Sequence, residues 1–172
     1  MTDDPDRGDA LTIDIAEPCA LWRERLPDIE RLCGDAARAA LTVAGATPDA
    51  AELSIVLGDD ALAQALNRQW RGQDKPTNVL SFPVAPMTLP PGAPRLLGDV
   101  VLAFETLAAE AAAQGKPLAH HLRHLVVHGV LHLMGYDHEA AGEAARMEGL
   151  EVAVLAELGV PDPYRVAEAS HG

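Results

Sequence analysis

The chain predicts an α+β fold: one domain in which a small mixed four-stranded sheet packs with about five helices. Three observations carry this. Short stretches that alternate apolar and polar residues occur between longer ones whose apolar residues step by three and four, so periods of 2 and 3.6 coexist. The 172 residues contain no internal repeat and no linker, a length that suits a single core. A histidine-rich helix closed by glycine lies in the C-terminal half, with a further histidine just past the turn, and this pattern belongs to a metal site.

The first ten residues, 1–10, carry four aspartates and no apolar stretch. They read as a disordered acidic tail rather than a signal peptide or a helix, and the domain is expected over residues 11–168. Leu11 to Ala16 alternates as a strand. Helical periodicity runs from Cys19 to Val43 and is interrupted at Pro27, which predicts a kink or a short helix followed by a longer one. Gly45 is the expected stop. Glu52 to Leu57 is a second strand, after which Asp59 or Asp60 caps a helix bearing Leu62, Leu66 and Trp70. Val79 to Val84 is a third strand. The proline-rich stretch Ala85 to Arg95 reads as a loop and a candidate lid. Leu96 to Ala103 is a fourth strand, and Phe104 to Gln114 an alanine-rich helix ended by Gly115. Pro117 opens the histidine helix, a favoured place for proline. The last helix, Ala140 to Leu158, turns Met147, Leu150, Val154 and Leu158 inwards.

Hydrophobic residues make up 48% of the chain but aromatics only 3%, so alanine, leucine and valine must fill the core. No apolar run is long enough to span a membrane. Cys19 and Cys33 make no disulfide framework and read as reduced, packed thiols in a cytoplasmic protein. The net charge of −13 opposes a polyanionic partner at long range. Arg68, Arg71 and Lys75 nevertheless cluster in one short stretch, and Arg123 lies on the histidine helix.

The chemistry is concentrated in His128-Gly129-Val130-Leu131-His132-Leu133-Met134-Gly135-Tyr136-Asp137-His138. Histidines four apart share a helix face, and Gly135 lets the chain double back to bring His138 towards them. Three neutral imidazoles form the protein ligand set of an open zinc site. His124 continues the stripe, but at a rise of about 1.5 Å per residue it lies roughly 12 Å from His132. Imidazole nitrogens on one zinc must lie only about 3–3.5 Å apart. The third ligand is therefore His138, giving one zinc per chain. The spacing is that of metzincin peptidases, whose general base is a glutamate directly after the first histidine. Here that position is Gly129, which cannot move a proton, so other zinc-assisted chemistry is expected.

Two separated stretches resemble the YbeY family of bacterial zinc-dependent endoribonucleases. They are Leu66-Asn67 with Trp70-Arg71-Gly72-Gln73-Asp74-Lys75-Pro76-Thr77-Asn78-Val79-Leu80-Ser81-Phe82-Pro83, and the histidine motif itself. Gly98-Asp99 and Asp162-Pro163-Tyr164 also fit, and the likeness covers residues 11–165. It implies that His128, His132 and His138 hold zinc and that Arg71 is the functional arginine beside it. It further implies single-stranded RNA as substrate, maturation near the 3′ end of small-subunit rRNA, a role in ribosome quality control, and the small ribosomal subunit as partner. No DNA or membrane is expected. Arg71 suits that role because its rigid fork of donors matches phosphate oxygens. Zinc lowers the pKa of a bound water to about 7, so water or a ribose 2′-hydroxyl can serve as nucleophile. The bland alternative for Arg71 is an ion pair with Asp74. Asp99 and Asp137 are rival candidates to orient a ligand histidine. Ser81, Thr77 and His124 read as structural, and His120, His121 and His171 stay unassigned. The competing functions are a metzincin-like zinc peptidase without its glutamate and a non-catalytic ribosome-assembly factor whose zinc only holds the fold.

Overall fold

The computed structural model describes residues 11–44, 51–84, 95–136 and 141–164. The N-terminal tail, most of the candidate lid, Asp137, His138 and His171 lie outside the described residues. Four strands form one sheet: β1 (Leu11–Ala16), β2 (Ala51–Gly58), β3 (Val79–Pro83) and β4 (Arg95–Ala103), in the order β1-β2-β4-β3. β2 runs parallel to both β1 and β4, and β3 closes the other edge antiparallel to β4 with Val79 opposite Leu102 and Pro83 opposite Gly98. The sheet is thus mixed, as the sequence predicts.

Six helices are found among the described residues: α1 (Leu21–Arg25), α2 (Ile29–Val43), α3 (Asp60–Arg71), α4 (Phe104–Gln114), α5 (Leu118–Leu133) and α6 (Ala141–Glu157). Pro27 separates two helices rather than kinking one, which takes the count past the expected five. Asp59 caps α3 by accepting from the Leu62 N–H at 2.9 Å. None of these helices is long and apolar enough to cross a membrane.

The alternation of side chains along the strands divides the apolar residues between two faces. Leu53, Ile55, Leu57, Val100 and Leu102 join the main core with α2, α5 and α6. Leu80, Val101 and Ala103 form a smaller cluster on the other face, with Ala63 of α3. Leucine, valine and alanine fill most of the main core, as the composition requires, and two aromatics, Trp22 and Phe104, pack within it. Trp22 is fully buried, packs edge-on against Phe104 with centroids 5.0 Å apart, and donates its indole N–H to the Gly58 carbonyl at 2.9 Å. Cys19 and Cys33 are free and buried, and burial pushes the Cys33 thiol up to about 12. The consequence for function is that α3 and α5 lie on opposite faces of the sheet, and both reach its β3 edge.

Candidate active site

Edge strand β3 joins the two sequence motifs. Arg71 ends α3, and its Nη2 donates to the Ser81 carbonyl at 3.0 Å while the guanidinium lies 5.8 Å from the centroid of the Phe82 ring. The Ser81 hydroxyl points to the other face and donates to the Gly129 carbonyl on α5 at 3.2 Å. One strand residue thus spans the distance between the arginine and the histidine helix. Asp74, the bland partner proposed for Arg71, instead accepts from Gln64 at 3.0 Å and pairs with Arg68 at 4.0 Å.

Arg71, His128 and His132 line the same cleft, about 890 Å³ in volume, together with Lys75, Thr77 and Asn78. The Arg71-to-Asn78 segment is held to α3 by the buried Asn67, whose amide donates to the Lys75 carbonyl at 2.9 Å. Asn78 in turn donates to Glu110 at 3.0 Å, and Glu110 accepts from His121 at 2.8 Å. That bond gives His121 a structural partner, although burial pushes its pKa down and keeps the ring neutral.

The histidine helix ends as the sequence predicts. Gly135 has φ +98°, its N–H bonds to the His132 carbonyl at 3.0 Å, and the Tyr136 N–H returns to Leu131 at 3.1 Å. This pair of bonds with a left-handed glycine reverses the chain and satisfies the last carbonyls of the helix. The His128 and His132 rings are 4.7 Å apart between centroids and nearly perpendicular. Among the described residues no group of three histidines, cysteines or carboxylates converges as a metal site, and His138 falls outside them.

Gly129 has a packing reason. A Cβ there would lie 2.7 Å and 3.1 Å from the two Val100 methyls and 3.2 Å from the Ser81 hydroxyl. Helix α5 sits so close to the sheet that even a Cβ would force Val100 to shift, and the glutamate of the peptidase motif would crowd it further.

The largest surprise is Glu151. It lies on α6 and is fully buried. Its Oε2 accepts from His128 Nδ1 at 2.7 Å, and its Oε1 from His124 Nε2 at 2.7 Å and from the Tyr164 hydroxyl. Burial pushes the carboxyl pKa upward, but the bonds from His124, His128 and Tyr164 outweigh it and hold the value at about 2. Burial, and then the neighbouring Glu151, push the Tyr164 phenol upward. The sequence reading missed this residue, though the signal was present. Glu151 stands four residues after Met147 and three before Val154, on the stripe that faces the core. Asp99 does not play the part considered for it: Val100 faces α5, so Asp99 points to the opposite face, where it accepts from Ser54. His124 is held at Nε2 by Glu151 and Tyr164, but it is not the fully satisfied histidine expected from the sequence, since its buried Nδ1 has no partner among the described residues.

The donor set fits a zinc ion. An ionised carboxylate can only accept, so the bond to Glu151 is donated from His128 Nδ1, and Nε2 is the ring atom through which His128 would bind a metal. His132 lines the same cleft one turn further on.

Comparison with known proteins places this architecture. The family model described as Endoribonuclease YbeY matches residues 23–159. A protein named Endoribonuclease YbeY from Paramagnetospirillum magneticum is 58% identical over 161 residues, covering 90% of this chain and 97% of its own length. One of the same name from Azorhizobium caulinodans is 57% identical, covering 90% and 96%. The solution structure of TM1509 from Thermotoga maritima shares the fold, with a TM-score of 0.53 at 23% identity over 86% of this chain and 91% of that one. With a family match that takes in the α3–β3 segment and all of the histidine helix, and relatives this similar over nine-tenths of its length, the chain belongs to the endoribonuclease YbeY family.

Proposed function

We propose that this chain is a zinc-dependent endoribonuclease that cuts single-stranded RNA. In this reading it matures ribosomal RNA near the 3′ end of the small-subunit species, serves ribosome quality control, and has the small subunit as its partner. The observation that carries the reading is that Arg71 and the His128–His132 pair open onto one cleft from opposite faces of the sheet. The name borne by the relatives supports RNA as the substrate.

His128, His132 and His138 would hold one zinc. Bound there, zinc supplies Lewis acidity to a phosphate oxygen or a water. The chain's own residues do the rest. Among the described residues Arg71 commits one guanidinium donor, to the Ser81 carbonyl, so the fork retains donors to hold a phosphate and offset charge as it develops. Phe82 and Ser81 fix its direction. Either a water or the adjacent ribose 2′-hydroxyl can attack the phosphorus of a strand held this way. A peptidase reading is opposed by Gly129, since the helix leaves no room for a base at that position.

The test compares wild type, His132→Ala and His120→Ala as nuclease-free preparations, for zinc by elemental analysis and for cleavage of an unstructured RNA. Wild type and His120→Ala should each carry one zinc and cut; His132→Ala should remain folded, lose zinc and lose cleavage. Full zinc occupancy in His132→Ala would remove His132 from the ligand set. A zinc-loaded wild type that does not cut would make the protein a non-catalytic assembly factor.

A further inference from the structure

We infer that Glu151 is a positioning residue for His128, locking its ring so that Nδ1 bears the proton and Nε2 is presented to the cleft, with His124 and Tyr164 as the clamp that holds the carboxylate. This rests on the zinc reading above, which it deepens by naming a residue outside the histidine motif. A fully buried carboxylate on a helix that packs against the core is expensive, and a leucine at that register would pack more cheaply. Glu151 is tolerated because three donors converge on it: His128 Nδ1 and His124 Nε2, each at 2.7 Å, and the Tyr164 hydroxyl. The donors come from two parts of the chain, α5 and the segment after α6. His128 is the first candidate ligand, His124 lies one turn earlier on α5, and Tyr164 follows α6 in the C-terminal segment.

The geometry assigns a division of labour. Among the described residues two donors share Oε1, and His128 is the donor to Oε2. His124 and Tyr164 therefore fix the rotation of the carboxylate, and the carboxylate fixes the ring. A histidine held in this way is oriented before the metal arrives. A glutamine at position 151 would keep the shape but offer one acceptor oxygen to three donors. At least one donor would lose its partner, or the His128 tautomer would reverse. The segment ending in Asp162-Pro163-Tyr164 thus reaches the metal site through two hydrogen bonds without lining the cleft.

Two measurements on the full chain test this. The first is a long-range nitrogen–proton correlation spectrum of metal-free, histidine-labelled wild type at pH 8. It should show His128 protonated on Nδ1 and bare on Nε2; a proton on Nε2, or a mixture of tautomers, overturns the inference. The second is zinc competition against a chelator for wild type, Glu151→Gln, Tyr164→Phe and the exposed control Glu148→Gln. Glu151→Gln should bind zinc about 10- to 100-fold more weakly, Tyr164→Phe should fall between it and wild type, and Glu148→Gln should match wild type. A merely structural glutamate would lower the melting temperature of Glu151→Gln and leave zinc affinity and tautomer unchanged, which overturns the inference. Should Glu151→Gln fail to fold, Tyr164→Phe and the wild-type tautomer decide. A wild type that binds no zinc sinks the metal reading instead, and the tautomer still reports on Glu151.

Discussion

At the scale of single residues, Arg71 separates catalysis from folding. It ends α3 as an exposed residue, and among the described residues it makes one bond to a backbone carbonyl and packs on one aromatic face. Removing them should cost little stability, since a single hydrogen bond contributes about 1 kcal/mol. Reversing the charge beside a phosphate should cost far more in rate, because donors aimed at developing charge are typically worth about 10²–10³-fold. Arg71→Glu should therefore unfold within a few degrees of wild type and keep its zinc, yet cut RNA at least about 10²-fold more slowly. Thermal melts and single-turnover cleavage check this. An unchanged rate would remove Arg71 from the site, and a collapsed melting point would make it structural. Arg71 could be found from sequence only through its surrounding motif, because its isolated neighbourhood suggested Asp74 as partner. The fold pairs Asp74 with Arg68 and Gln64 instead, and so leaves Arg71 directed at β3.

At the scale of elements, the meeting of α5 with the sheet is the tightest constraint. Gly129 gives up helix propensity, about 1 kcal/mol relative to alanine, and gains close contact with Val100 and Ser81. Gly129→Ala should destabilise the protein by up to about 2 kcal/mol, because overpacking of about 1–3 kcal/mol offsets or exceeds the propensity gain of about 1 kcal/mol. Val100→Ala removes the obstructing methyls, so the double variant should recover part of that loss, with a coupling energy of about 1 kcal/mol or more. Denaturant midpoints of the four proteins measure the cycle; strict additivity would show that Val100 is not what excludes a side chain there. The elements themselves could be read from periodicity. Leu11–Ala16 and Phe104–Gln114 begin and end where the pattern predicts, and Gly135 closes α5 through the expected turn. Contacts between distant segments could not be read. Gly129 was visible as a missing base but not as a packing requirement, since Val100 is its neighbour only in three dimensions. Glu151 was passed over because an apolar stripe is traced through hydrophobic residues, and a carboxylate on that stripe gains its meaning from His128 and His124, more than twenty positions away. Asp99 was misjudged for the same reason: its strand neighbour, Ser54, lies 45 residues earlier.

At the scale of the whole molecule, the net charge of −13 and an RNA substrate pull against each other, and the structure limits how the conflict can be resolved. Of the four basic residues singled out in the sequence, Arg71 and Lys75 line the cleft. Arg68 pairs with Asp74, and Arg123 donates to the Leu158 carbonyl at 3.1 Å, at the C-terminal end of α6. That leaves two side-chain cations for the strand, with zinc as a third positive centre in the proposed reading. Each phosphate neutralised on a single strand contributes about 0.7 to the slope of log affinity against log salt. Two or three contacts predict a slope of only about 1.4–2.1 in magnitude. Affinity for free RNA should accordingly be weak but tolerant of salt, and efficient cutting should need a partner that presents the strand. Perfect duplex should be spared, and casein and peptides should not be hydrolysed. Binding isotherms from low to moderate salt, with cleavage assays on unstructured RNA, duplex RNA and casein run beside His132→Ala, test all of this. A slope several-fold steeper would reveal a basic surface beyond Arg71 and Lys75. Peptide hydrolysis that disappears in His132→Ala would overturn the ribonuclease reading, whatever the salt dependence.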